Sequence, residues 1–179
     1  MTSHNRHPDA SLKSGVTTIE FVTGRYTHLA DRYGPETIMV ATHAEWRGGA
    51  IVVVHNTARG PAMGGLRMVP DITVEEVLDL ARAMTYKNAG ALLELGGGKS
   101  ALVAEPARYP RGSEQRRELI SWYAGLLENL PEYTPGPDMF TDEQDMQIIF
   151  ELAGRSIGRP ADKGGIPIRI PVFAARGVA

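Results

Sequence analysis

The chain has 179 residues, of which 42% are hydrophobic and 22% charged, and its formal net charge is −2. This length leaves room for one hydrophobic core, and the charge excludes the basic footprint of nucleic-acid-binding proteins. The sequence contains no cysteine, which excludes disulfides and thiolate metal sites. It also contains no apolar run long enough for a membrane span or a signal peptide. We therefore expect a cytoplasmic, single-domain protein that acts on a small molecule.

The N-terminal third of the chain is predicted to be rich in β-strands. Residues 1–14 are polar and without a period, which is typical of a disordered lead-in. Three β-rich runs follow, at 15–22, 36–43 and 50–56. The six residues AEWRGG separate the last two runs, a length that suits a β-hairpin connection.

A long helix is predicted to begin at Thr73. Thr73 and Glu76 have the spacing of a capping box, and Ile72 and Val77 occupy the positions of a hydrophobic staple. Apolar residues then recur with helical spacing until a glycine at position 90, which marks the expected end of the helix. Lys87 falls beside this apolar stripe rather than opposite it.

The remaining elements complete an α/β pattern. The segment 100–106 (SALVAEP) predicts a strand, and 113–129 predicts a second amphipathic helix. A third helix is predicted near Thr141, with Thr141 and Gln144 as its capping box. We therefore expect one layered domain over residues 15–155, in which amphipathic helices pack on a mixed, open β-sheet. The Gly- and Pro-rich residues 156–179 are predicted to be a connector.

The run LELGGGKSALVAEP suggests a phosphate-binding loop but does not fit one. A Walker motif requires glycine where Leu93 stands, and it requires a strand before the loop and a helix after it, the reverse of the order predicted here. Gly96, Gly98 and Ala101 match the dinucleotide pattern G-x-G-x-x-A, but they lack the same strand-turn-helix setting. A further alternative is a tight glycine turn with Lys99 as a surface charge.

Three other motifs accompany this lysine: GPAMGGLR before it, MTYKNA on the predicted helix, and GPDMFT after it. In order and spacing, including the twelve residues from Lys87 to Lys99, they resemble the N-terminal substrate-binding and dimerisation domain of the Glu/Leu/Phe/Val amino-acid dehydrogenases. The resemblance covers residues 35–178. It implies oxidative deamination of an L-amino acid to a 2-oxo acid and ammonia, with NAD or NADP as the hydride acceptor, in a homo-oligomer.

The resemblance also implies roles for individual residues. Lys87 would hold the substrate α-carboxylate, while Lys99 and Asp138 would be the catalytic lysine and aspartate. Gly64 and Gly65 would let the backbone approach the substrate closely. These residue types suit the chemistry, because a fixed ammonium pairs with a carboxylate, and a desolvated lysine has a lowered pKa that allows it to activate water.

Two site positions differ from related sequences: Met63 from the glutamate enzymes of the family, and Phe140 from the family as a whole. Met63 stands where the glutamate enzymes have a lysine that grips the side-chain carboxylate. Burying an anionic side chain against a thioether is unfavourable, so Met63 indicates an apolar substrate such as leucine, valine or phenylalanine. Phe140, in the stretch DMFT, stands where a small residue is usual.

The enzymes of this family continue into a Rossmann domain that binds the nicotinamide cofactor. This sequence has no dinucleotide fingerprint in its proper setting. We therefore expect the chain to be part of a larger dehydrogenase, with NAD or NADP bound mainly by a domain outside it and with no metal site. The alternative is a non-catalytic amino-acid-binding or oligomerisation module that has lost its cofactor domain.

Overall fold

The computed structural model describes residues 16–44 and 48–166, and six of its segments are β-strands. The strands are β1 (Thr17–Phe21), β2 (Thr37–His43), β3 (Gly48–Asn56), β4 (Ala62–Val69), β5 (Gly96–Val103) and β6 (Tyr133–Pro137). They form one sheet in the order β1-β2-β3-β5-β4-β6. The pairs from β1 to β5 along this order are antiparallel, whereas β4 runs parallel to both β5 and β6. The prediction of a mixed, open sheet is confirmed.

Three α-helices cover the two faces of the sheet. They are α1 (Val74–Gly90), α2 (Glu114–Leu126) and α3 (Glu143–Ala153), and short 3-10 segments lie at Thr23–Leu29, Pro106–Arg108, Leu127–Asn129 and Ala161–Lys163. Successive residues of the central strands point to opposite faces. One face, with Val53, packs against α1, and the other, with Val52, packs against α2 and α3.

The start of α1 agrees with its prediction. The Thr73 side chain accepts a hydrogen bond from the backbone nitrogen of Glu76, and the Glu76 carboxylate accepts one from the backbone nitrogen of Thr73. The staple residues Ile72 and Val77 are both buried. This capping box satisfies backbone donors that the first turn of a helix leaves free, so local sequence alone defines where α1 begins.

The predicted start of α3 is wrong by one residue. The capping box is formed by Asp142 and Asp145, not by Thr141 and Gln144. The Thr141 hydroxyl is directed elsewhere, since it donates to the carbonyl of Leu66 on β4 at 2.6 Å and accepts from the backbone nitrogen of Asp138 at 2.9 Å. A tertiary contact therefore decides between two adjacent candidates that look equivalent in sequence.

The glycine run before Lys99 is not a loop or a tight turn, so the alternative of a glycine turn with Lys99 as a surface charge is wrong. Strand β5 begins at Gly96, four residues before the predicted strand, so the whole GGGK segment is extended and paired. A Cβ atom on Gly97 would lie 2.1 Å from the backbone nitrogen of Thr85 on α1, and one on Gly98 would lie 2.8 Å from the ring of Tyr133. These glycines allow close packing of neighbouring elements.

Two strands were not predicted at all, because their composition obscures them. Strand β4 contains the pair Gly64-Gly65, and β6 contains Pro135 and Pro137 at the edge of the sheet, where proline costs no ladder hydrogen bond. The predicted lead-in, 1–14, lies outside the described residues. Of the predicted connector only 156–166 is described. Among the described residues, no helix combines the length and apolar character that crossing a bilayer requires.

Candidate active site

One cavity of about 320 Å³ collects every site residue predicted from the sequence. These residues come from β4, α1, β5 and the segment after β6, and they are Met63, Gly64, Gly65, Lys87, Lys99 and Asp138. The wall also includes residues that the sequence did not single out: Met84, Asn88, Leu93, Gly136, Pro137 and Ile157. The fold thus brings together predicted site residues that are up to 75 residues apart in the chain, from Met63 to Asp138.

Gly65 makes the central contact of the cavity possible. Lys99 lies on β5, Asp138 follows β6, and β4 runs between these two strands. A Cβ atom on Gly65 would lie 2.7 Å from Cβ of Asp138 and 3.1 Å from Nζ of Lys99. Only a residue without a side chain lets the lysine and the aspartate meet across β4.

Lys99 and Asp138 form a close ion pair in a largely buried setting. Nζ of Lys99 lies 2.5 Å from Oδ2 of Asp138, and Lys99 is only 7% exposed. Burial lowers the pKa of Lys99, and this outweighs the opposite effect of Asp138. Burial alone would raise the pKa of Asp138, but Lys99 and then Arg67 bring it below its usual value. At neutral pH the aspartate is therefore ionised, while the lysine loses its proton more readily than a solvated one.

Arg67 is a third charged group at this point that the sequence did not identify. Its Nε donates to the same Oδ2 of Asp138 at 3.2 Å. The signal was present in the motif GGLR, since Arg67 is two residues after Gly65 on β4 and so faces the same side of the strand.

The turn after β6 holds Asp138 through its backbone. The backbone nitrogen of Asp138 donates to the Thr141 hydroxyl at 2.9 Å. Phe140, between them, has a φ of 61°, a left-handed conformation that side-chain-bearing residues rarely adopt. Arg116 on α2 donates to the Phe140 carbonyl at 2.7 Å while paired with the buried Asp145. The conformation explains why a small residue suits this position better than phenylalanine.

Lys87 stands at the rim of the cavity on the last turns of α1. Its neighbour Asn88 is buried and donates to the carbonyl of Gly96 at 2.6 Å, which ties the end of α1 to the start of β5. Within residues 16–44 and 48–166, no acidic side chain forms an ion pair with Lys87. The ammonium of Lys87 is thus available to an anionic group in the cavity.

A larger cavity, of about 430 Å³, lies at the N-terminal ends of α2 and α3. None of the predicted site residues lines it. Two of its three arginines are already paired within the protein, with Arg111 Nε 3.0 Å from Asp142 Oδ2 and Arg116 bound to Asp145. The described residues contain no group of three histidine or acidic side chains suited to a metal ion. The smaller cavity is the one that concentrates reactive groups.

The sequence matches one family over most of the described residues. The sequence model described as "Glu/Leu/Phe/Val dehydrogenase, dimerisation domain" matches residues 36–154. The chain is 35% identical over 154 residues to the phenylalanine dehydrogenase of Thermoactinomyces intermedius, covering 81% of this chain and 41% of that protein. It is 36% identical over 107 residues to the leucine dehydrogenase of Bacillus subtilis, covering 57% of this chain and 28% of that protein. The chain thus spans less than half the length of these relatives.

Solved structures show the same similarity. The L-tryptophan dehydrogenase of Nostoc punctiforme superposes with a TM-score of 0.61 at 27% identity, covering 69% of this chain and 37% of that one. A hetero-hexameric glutamate dehydrogenase from Thermus thermophilus, in a leucine-bound form, superposes with a TM-score of 0.60 at 28% identity, covering 86% and 36%.

Proposed function

Because the chain belongs to the Glu/Leu/Phe/Val dehydrogenase family and carries its dimerisation domain, we propose that it is the substrate-binding part of an amino-acid dehydrogenase. The reaction would convert an L-amino acid with an apolar side chain to a 2-oxo acid and ammonia. One observation carries this proposal: a buried lysine and an ionised aspartate meet in a cavity whose rim carries an ammonium without an acidic partner among the described residues.

Lys87 is proposed to bind the substrate α-carboxylate. Its position at the cavity rim allows one charge-assisted hydrogen bond to fix that end of an amino acid. Holding the carboxylate there directs the α-amino group and the Cα atom toward Lys99 and Asp138. Positioning of this kind converts binding energy into a favourable orientation for reaction.

Lys99 and Asp138 are proposed to perform the proton transfers. The lowered pKa of Lys99 lets its amine activate the water that attacks the imine carbon. The Asp138 carboxylate is placed to exchange protons with the substrate nitrogen. NAD or NADP would supply the hydride acceptor. Among the described residues the glycine-rich run is extended in β5 and follows a helix, so it does not fit a dinucleotide.

The preference for an apolar side chain is part of the proposal. Met63, Met84, Leu93 and Ile157 give the cavity apolar walls. A second carboxylate placed against Met63 would lose its hydration without gaining an ionic partner from that residue. Aliphatic and aromatic amino acids face no such penalty.

Assembly and location extend the same proposal. A homo-oligomer is supported by the dimerisation domain that the chain matches and by the position of β1, whose only partner among the described strands is β2. We propose that NAD or NADP binds mainly to a separate domain and not to the residues of this chain. We propose a cytoplasmic location, as the sequence predicts.

Calorimetric titration with L-phenylalanine, L-leucine, L-valine and L-glutamate tests the binding role. We expect the apolar amino acids to bind, and Lys87→Ala to weaken them at least about tenfold, since a hydrogen bond to a charged group contributes roughly 1.5–3 kcal/mol. Lys163→Ala is the matched control, because Lys163 is exposed and lines the other cavity. Tighter binding of glutamate, or equal effects of the two substitutions, would contradict the proposal.

Catalysis is tested in a fusion of this chain to the C-terminal part of the Thermoactinomyces phenylalanine dehydrogenase. The fusion should reduce NAD in the presence of an apolar amino acid, and Lys99→Ala should abolish the reaction. Amino-acid binding without any turnover in the fusion would favour the alternative of a non-catalytic binding module.

A further inference from the structure

Two cations converge on a single carboxylate oxygen in the candidate site. Lys99 Nζ lies 2.5 Å from Oδ2 of Asp138, and Arg67 Nε lies 3.2 Å from the same atom. The side chains of Lys99, Asp138 and Arg67 are 9%, 20% and 23% exposed, so solvent screens these charges only in part. Asp138 thus has one partner that can lose its proton and a second that cannot, since arginine stays protonated in proteins.

A lysine and a carboxylate alone would not serve the proposed chemistry well. In a partly dry site such a pair can neutralise itself by moving the proton from Nζ to Oδ2, which yields an amine and a carboxylic acid. The amine would then be free to activate water, but the aspartate could no longer accept a proton from the substrate. A fixed positive charge at Oδ2 opposes this transfer, because it repels the incoming proton and occupies a lone pair of the oxygen.

We propose that Arg67 is a positioning residue that keeps Asp138 a carboxylate whether Lys99 is protonated or not. The proton that leaves Lys99 then passes to water or substrate, and Asp138 retains its capacity as a base. The inference rests on the proposed function, because it assigns Arg67 a part in that same site. Its contribution is exerted through Asp138 and does not require contact with the substrate.

Strand β4 explains how Arg67 reaches this place. Burial alternates along the strand, with Ala62, Gly64, Leu66 and Met68 buried and the residues between them partly exposed. Met63, Gly65 and Arg67 therefore share the face that borders the site. Gly65 leaves the space in which Lys99 and Asp138 meet, and Arg67 approaches Asp138 from the next position on that face.

Nuclear magnetic resonance of the full chain can test the proposal without any ligand. The sequence has four lysines, so the Lys99 side-chain signal can be assigned with Lys99→Arg and followed with pH, together with the Asp138 carboxyl carbon. In Arg67→Gln we expect both groups to titrate at higher pH, Asp138 by about one unit. Arg67→Lys, which retains a positive charge, should return both titrations most of the way to those of the unsubstituted chain. Arg117→Gln, on the exposed face of α2, should leave both titrations unchanged.

Unchanged titrations in a folded Arg67→Gln protein would overturn the proposal, as would failure of Arg67→Lys to restore them. If Arg67→Gln does not fold, the unsubstituted chain still decides, since the Arg67 Nε–H signal should move as Asp138 titrates in acid, and a signal that does not move refutes the contact. Adding L-phenylalanine and L-leucine in a separate experiment tests the proposed function. Absence of binding there leaves the Arg67 result standing on its own.

Discussion

His55 on β3 and Thr85 on α1 are hydrogen-bonded in the core, with Nδ1 of the imidazole 2.8 Å from the threonine hydroxyl oxygen. The pair lies directly behind the candidate site, because the backbone of Thr85 packs against Gly97 of β5. The other imidazole nitrogen faces Asp31, with Nε2 3.5 Å from Oδ1. Burial lowers the pKa of His55 by more than Asp31 raises it, so the folded ring binds a proton less readily than a solvated imidazole.

Stability should therefore fall as the pH drops below about 6.5, the ordinary pKa of histidine. Below that value the unfolded chain binds a proton at His55 that the folded chain does not, until the lower pKa of the folded state is reached. One such proton reduces the free energy of unfolding by at most about 1.4 kcal/mol per pH unit. Urea unfolding at several pH values between about 7.5 and 5.5 measures the slope. His55→Gln should reduce this slope, whereas the exposed control His28→Gln should not. Equal slopes in the two variants would refute the assignment.

Gly65→Ala should destabilise the protein and separate Lys99 from Asp138. The new Cβ atom would lie 2.7 Å from Cβ of Asp138, so strand β4 or the turn after β6 must move, at a cost of roughly 1–3 kcal/mol. Gly90→Ala is the matched control, because an added Cβ there meets nothing within 4 Å and alanine favours the helix. Thermal unfolding should show a lower midpoint for Gly65→Ala but not for Gly90→Ala. An unchanged midpoint for Gly65→Ala would contradict the steric argument.

Leu92→Gly should stabilise the protein. Leu92 follows α1 with a φ of 56°, a conformation that costs leucine on the order of 1 kcal/mol or more, and its side chain is 81% exposed, so little burial is lost. Glycine in the unfolded chain offsets part of this gain, which leaves up to about 1 kcal/mol. Leu152→Gly, at an exposed position within α3, should instead lose about 1 kcal/mol. Urea denaturation measures the free energy of unfolding of both variants. Equal changes would contradict the claim that the positive φ of Leu92 destabilises the parent chain.

Arg116→Met should be strongly destabilising. Arg116 is 4% exposed, is paired with Asp145, and also donates to the carbonyl of Phe140. Its removal leaves a buried carboxylate without a cation, at a cost of roughly 3–5 kcal/mol. The double substitution with Asp145→Leu should recover part of this loss, although it also removes the capping box of α3. Urea denaturation of the two variants measures the difference, and a double variant no more stable than Arg116→Met would refute the explanation.

Elements defined by local chemistry were predictable from the sequence, and those defined by distant neighbours were not. The capping box at Thr73 needs only the next three residues, so its prediction agrees with the structure. Strand β5 begins at Gly96 because α1 and Tyr133 press against its glycines, and the sequence near Gly96 carries no trace of those neighbours. Thr141 looks like a cap in sequence because its hydrogen-bond partner Leu66 is 75 residues away and leaves no local signal.

The candidate site was predictable in composition but not in its electrostatics. The motifs identified Lys99 and Asp138, and the structure shows them 2.5 Å apart. Arg67 was within a quoted motif, yet its relation to Asp138 depends on the parallel pairing of β4 and β6, and neither strand was predicted.

The alternation along β4 has a consequence for how this domain can diversify. A single eight-residue segment carries the residue proposed to select the side chain, Met63, and the one proposed to govern protonation, Arg67, whereas the lysines lie on α1 and β5. In these proposed roles, side-chain selection and control of Asp138 protonation lie together on β4, whereas the two lysines lie on other elements. Replacing the octapeptide AMGGLRMV with that of a relative is therefore expected to change substrate choice in one step. The side-chain amines of both lysines stay in place, because they belong to other elements.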